Sequence, residues 1–154
     1  AGAAAIGVSL VSLGNTIGRI AWGTLSDKIG RYNVLPIIFA GMAIFLLIFS
    51  GSKEGQSIRF FGSLIVIGIC FGGFLSLFPA ITTENFGSRN SGSNYGLMFS
   101  GYAIAAFFGP SIAVTFKDSG AAPFSAALLI AACICVAGLV LSVVLRQVMK
   151  KWIV

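Results

Sequence analysis

One arginine stands alone in an otherwise uncharged run at the start of the chain: Arg19, between Ala1 and Trp22. A lone cation in apolar surroundings is by default a functional hypothesis, and its natural ligand is an anion. Thr16, Asn15 and Ser12 precede it by three, four and seven residues, so on a helix they share its face and could line a polar path. The competing use of Arg19 is structural. Gly23 follows only one helical turn later, so the guanidinium could instead snorkel to the membrane interface or close a charge cluster there. That cluster begins in Gly23-Thr24-Leu25-Ser26-Asp27-Lys28-Ile29-Gly30-Arg31. Gly30 permits a tight reversal, Asp27 can accept hydrogen bonds from a helix N-terminus, and Arg31 can pair with carboxylates at the same surface. The chain has no histidine and four acidic residues, which removes Ser-His-Asp chemistry and imidazole ligation and leaves paired-carboxylate catalysis without support. An enzyme is therefore not expected, nor a cofactor or a metal site. Cys70, Cys133 and Cys135 all fall in apolar runs and read as small packing residues.

The elements that must position these residues are membrane helices. Of the 154 residues 57% are hydrophobic and 9% charged, against about a quarter charged in a soluble domain. The expectation is an all-α membrane protein with five spans, at Ala1 to Trp22, Val34 to Ser50, Phe60 to Thr82, Tyr95 to Phe116 and Ala121 to Leu145. Connectors at Gly23 to Asn33, Gly51 to Arg59, Thr83 to Asn94 and Lys117 to Gly120 are short enough for neighbouring helices to run antiparallel. Residues 1–154 thus read as one transmembrane bundle. Ala1 opens directly in a small-residue apolar stretch without a charged leader region, so the chain is expected to be a fragment.

Lys28, Arg31, Arg89, Arg146, Lys150 and Lys151 fall on one side of this topology, and Lys53, Arg59 and Lys117 on the other. Cytoplasmic loops carry the Lys/Arg excess, which puts the first and third connectors and the C-terminal tail in the cytoplasm of a multi-pass cell-membrane protein. The net charge of +6 accordingly reports topology. No basic cluster interleaved with aromatics lies outside the apolar runs, so nucleic acid is not an expected partner. Gly68 with Gly72, and Gly101 near Gly109, have the small-residue spacing that lets membrane helices approach closely. Pro79 and Pro110 are placed to kink or end their helices.

The G-x-L-S-D-K-x-G-R string between two spans resembles the signature loop of the major facilitator superfamily. Phe78-Pro79-Ala80-Ile81-Thr82-Thr83-Glu84-Asn85-Phe86-Gly87-Ser88-Arg89, followed by Ser93-Asn94-Tyr95-Gly96, resembles the oxalate/formate antiporter family within it. Gly18-Arg19-Ile20-Ala21-Trp22-Gly23 is similar to the eighth helix of that family, and the similarity runs from about Gly14 to Pro110. The resemblance implies the eighth to twelfth helices of a twelve-helix transporter, with the N-terminal half of the same protein as a missing partner. A competing register is the second to sixth helices, because the loop motif recurs in both halves and Gly109-Pro110 resembles an antiporter motif of the fifth. Asn94-Tyr95-Gly96 and the basic tail favour the former.

By the same resemblance Arg19 binds a substrate carboxylate, and helical spacing puts Asn15 beside it. Oxalate-carrying relatives have a lysine in the eleventh helix where this chain has Tyr102; one cation suits one carboxylate, so formate, lactate or pyruvate fits better than oxalate. Phe71 and Leu75 occupy positions that resemble aromatic site residues, the second without its ring. Tyr95, Phe99, Tyr102 and Ala106 follow helical spacing and could form a cavity wall, though such stripes commonly serve packing. Glu84 and Arg89 would join Gly23, Asp27, Gly30 and Arg31 in a cytoplasmic cluster that latches one conformation and releases in the other. The function so implied is secondary transport of small organic anions by alternating access; the alternatives are an anion-binding membrane sensor on a transporter fold and a purely structural membrane subunit.

Overall fold

The computed structural model describes residues 2–52, 56–118 and 125–152. All of its regular structure is helical: α1 (Gly2–Ile29), α2 (Arg31–Ser50), α3 (Ser57–Phe86), α4 (Ser91–Asp118) and α5 (Ser125–Trp152). In hydrocarbon each backbone polar group must find a partner inside its own segment, which is why the apolar runs become helices. The buried hydroxyls obey the same constraint. Ser26, Ser63, Thr82 and Ser142 each donate to a carbonyl three or four residues back on their own helix, at 2.7–2.8 Å.

Among the described residues, four helices are long and apolar enough to cross a membrane: Arg31–Ser50, Ser57–Phe86, Ser91–Val114 and Ser125–Lys150. Of the five expected spans, α1 is the one that falls short of this measure. Its 28 residues could extend about 42 Å, but Ser9, Ser12, Asn15, Thr16 and Arg19 lower its hydropathy below that of the other four. The helices also run further than their apolar cores. Gly23 to Ile29 is the last part of α1, so the expected first connector reduces to Gly30, whose φ of 90° and ψ of 139° lie in a region essentially confined to glycine. The third shrinks to residues 87–90, with Gly87 at φ 75° ending α3. Pro36, Pro79 and Pro110 all lie inside helices, and none ends one. Ser119 and Gly120 of the fourth connector, and Lys53 of the second, lie outside the described residues.

The bundle is built on two intimate pairings, α1 with α3 and α2 with α5, joined through α2 and α3; α4 touches α3 and α5 more lightly. Gly14 and Gly18 on α1 lie against the backbone of Ile65 and Ile69 on α3, and Gly68 and Gly72 on α3 against that of Val11, Asn15 and Arg19 on α1, so a Cβ at Gly18 or Gly72 would run into backbone of the facing helix. Gly101 and Gly109 differ from Gly68 and Gly72, since nothing lies within 4 Å of a Cβ added at either. The core surrounds α2: Val34, Leu35, Ile38, Met42 and Leu46 pack with Cys70 and Leu77 of α3 and Ala132 of α5. Cys70 is buried, Cys135 half-buried and Cys133 exposed, and all three are free.

Candidate functional site

Arg19 sits on an exposed flank of α1, and its Nε donates to Asn15 Oδ1 at 3.1 Å. The side chain therefore turns back toward the N-terminus, as long helical side chains do, and away from the charge cluster two turns ahead. Among the described residues neither ion pair involves Arg19, so its charge is left uncompensated. The backbones of Asn15 and Arg19 lie directly against α3: a Cβ at Gly72 would overlap the Asn15 carbonyl oxygen and stand 3.0 Å from the Arg19 nitrogen. Ser12 and Thr16 hydroxyls are turned onto their own helix, donating to the carbonyls of Val8 at 2.9 Å and Ser12 at 3.1 Å. The polar contact to Arg19 is thus made by Asn15, while Ser12 and Thr16 are spent on α1 itself.

Gly72 is flanked on α3 by Phe71 and, three residues on, by Leu75, and both line a cavity of about 310 Å³ between α2, α3 and α4. Tyr102, Phe99 and Tyr95 form its α4 wall. Ring centroids lie 6.3 Å apart for Phe71 and Tyr102, 4.8 Å for Phe99 and Tyr102, and 5.1 Å for Tyr95 and Phe99. Phe71, Leu75 and Tyr102 are therefore brought together. Arg19 and Asn15 do not line this cavity; their backbones pack on α3 at Gly72, which is not one of its lining residues either. Ala106 is exposed and lies outside it. Sequence reasoning missed Phe39, Phe74 and Phe78, which complete the wall, with Phe39 and Phe74 centroids 4.6 Å apart. Their helical spacing is indistinguishable from ordinary packing until α2 is placed beside α3.

At the other end of α1, Arg31 joins three helices. Its Nη2 lies 3.2 Å from Asp27 Oδ1, and its Nε donates to Glu84 Oε1 on α3. Beside this pair the Tyr32 hydroxyl donates to Asn85 Oδ1 at 2.9 Å, and Asn85 Nδ2 donates to the Ile81 carbonyl. Three parts of the expected cluster change. Asp27 takes Arg31 as partner instead of capping α2, whose N-cap is Gly30 and has no side-chain cap. Gly23 lies within α1, with nothing near an added Cβ. Arg89 is exposed and takes no part in the ion pairs of the described residues. Tyr32 and Asn85 were not singled out, although a signal existed: each directly follows a member of the Arg31–Glu84 pair, so both pairs span the same 53 residues. Among the described residues no group of His, Cys, Asp or Glu could hold a metal.

The family profile described as Major Facilitator Superfamily matches residues 1–153. An oxalate:formate antiporter of Oxalobacter formigenes is 36% identical over 109 residues, 71% of this chain and 26% of that protein. An uncharacterised MFS-type transporter of Escherichia coli strain K12 is 34% identical over 105 residues, 66% of this chain and 25% of its own length. Apicoplast pyruvate carrier 2 of Toxoplasma gondii is 30% identical over 82 residues, covering 53% of this chain and 13% of the carrier. The chain spans about a quarter of the length of the first two relatives. No solved structure matches it.

Proposed function

The chain belongs to the major facilitator superfamily, and on that premise we propose that it is the C-terminal helix bundle of a secondary transporter for small monocarboxylates. Membership sets it among carriers, not enzymes, and makes it part of a multi-pass membrane protein. The observation that supports the substrate reading is Arg19: a guanidinium on α1 whose partner among the described residues is the neutral Asn15 oxygen, on a helix packed against α3, which also lines the aromatic cavity. A cation without an acidic partner in a membrane helix attracts a carboxylate, and a planar guanidinium can hold one through two parallel hydrogen bonds. Tyr102 offers a hydroxyl in place of a second charge, which favours formate, lactate or pyruvate over oxalate. The printed names of the relatives, an oxalate:formate antiporter and a pyruvate carrier, support the same chemical class.

In this reading the five helices are the eighth to twelfth of twelve. The N-terminal half closes the other side of the site, and the two halves rock about the bound anion. Arg31, tied to Asp27 on its own side and to Glu84 across the bundle, holds one of the two conformations at the cytoplasmic face. The decisive experiment is uptake of radiolabelled formate, lactate and pyruvate into vesicles holding the full-length protein. Saturable uptake, weakened about ten- to a hundred-fold by Arg19→Gln, is expected. Binding without flux would make the protein a sensor, and normal flux in the variant would remove Arg19 from the site.

A further inference from the structure

Where the end of α5 meets the start of α2, a second cavity of about 240 Å³ opens, bounded by residues 30–33 on one side and by Arg146, Met149 and Lys150 on the other. Three cations and no acid line it. Arg31 is already held by Asp27 and Glu84, whereas Arg146 and Lys150 enter no ion pair among the described residues. The two stand four residues apart, on one face of α5. The other polar groups are occupied: the Tyr32 hydroxyl donates to Asn85, and Asn33 Nδ2 donates to the Ile29 carbonyl. What remains is a pair of free cations in a recess between two membrane helices. One turn before Arg146, on the same face of α5, stands the exposed Val143, with exposed Leu145 on the neighbouring flank.

We propose that this recess binds the phosphate of an anionic membrane lipid, with Arg146 and Lys150 as its charge-assisted donors and the acyl chains laid along α5. A free phosphate would satisfy the two cations equally well, but it would leave the adjoining apolar surface unused. Basic recesses between membrane helices at the cytoplasmic side suit anionic headgroups, and that leaflet is the one rich in anionic lipid. Only the choice of leaflet rests on the orientation proposed above; the recess and its charges do not.

The test uses the full-length protein in phosphatidylcholine nanodiscs, titrated with phosphatidylglycerol, with retained lipid read by native mass spectrometry. Preferential retention of phosphatidylglycerol is expected. Arg146→Gln or Lys150→Gln should weaken it about five-fold each, and the double variant about thirty-fold, from the contribution of each basic residue near a charged lipid surface. Arg59→Gln removes the same charge at the other end of the bundle and should leave retention unchanged. If the double variant does not fold, the single variants decide the matter. Wild-type retention in the Arg146 and Lys150 variants overturns the site, and equal weakening by Arg59→Gln reduces it to diffuse attraction. Displacement by millimolar inorganic phosphate would reassign the recess to a soluble anion. Because lipid retention, not uptake, is measured, these outcomes stand apart from the fate of the transport reading.

Discussion

Arg19 separates two uses of a cation in a membrane helix, and its geometry favours one of them. A guanidinium drawn to the interface would turn toward Asp27; here it turns back to Asn15 and lies on the α1 flank beside the α3 contact. A charge-assisted hydrogen bond contributes about 1.5–3 kcal/mol, so Arg19→Gln should weaken carboxylate uptake by about ten- to a hundred-fold. Arg19→Lys should recover part of that, since lysine keeps the charge and loses the fork. Competition of labelled formate by unlabelled anions measures both, and equal uptake in all three proteins would leave Arg19 without a substrate role. Tyr102→Lys tests the cavity wall, because a second cation there should raise the effectiveness of oxalate as a competitor relative to formate. Unchanged relative inhibition would place the second carboxylate site elsewhere.

Among elements, the tightest constraint is the α1–α3 seam, where glycines on each helix lie against the backbone of the other. Gly72→Ala puts a methyl group into the Asn15 carbonyl, a contact with backbone that no side-chain rotation relieves. Overpacking of this kind costs about 1–3 kcal/mol, so the melting temperature of the purified transporter should fall, and Arg19 should shift with its helix. Gly62→Ala on the same helix, with nothing within 4 Å, is the control and should be near neutral. Equal melting temperatures would mean that the seam is looser than its geometry implies. The charge cluster works on a weaker scale. Arg31 is 21% exposed and its partners 63% and 52%, and ion pairs that wet contribute no more than about 1 kcal/mol each. That is suited to a latch which must also open. Asp27→Asn leaves Glu84 in place and should slow transport a few-fold with insertion intact; unaltered kinetics would take the cluster out of the mechanism.

For the whole molecule, the parity of the helices makes a prediction that needs no site. Ser52, after α2, and Ser88, after α3, should lie on opposite membrane faces, with Ser88 cytoplasmic by the Lys/Arg distribution. Single cysteines at the two positions in the full-length protein, labelled with an impermeant maleimide from outside, should react at position 52 and not at 88. Reaction at both would break the topology. Membrane insertion of α1 is part of the same test. Its polar stripe makes it the least apolar helix, and the Gly-lined seam with α3 is what gives that stripe a protein neighbour on one side.

Composition and periodicity were sufficient for the helices, their number and their order, because hydrocarbon leaves a backbone so few ways to satisfy its hydrogen bonds. Residue type also marked Arg31 as a partner for carboxylates at one membrane face, while Glu84 entered through the family resemblance. Helix ends were misjudged at Gly23 to Ile29 and Thr83 to Phe86, because hydropathy marks the edge of the apolar run while a helix extends into the interface on its own hydrogen bonds. Which aromatics form a wall, which glycines touch and which hydroxyls are spent on their own helix were tertiary decisions. Each depends on the rotation of one helix against another, and a periodic sequence specifies a face without specifying what that face meets. Gly68 and Gly101 illustrate this: both have small-residue spacing, yet the first contacts the Val11 backbone and the second has nothing within 4 Å.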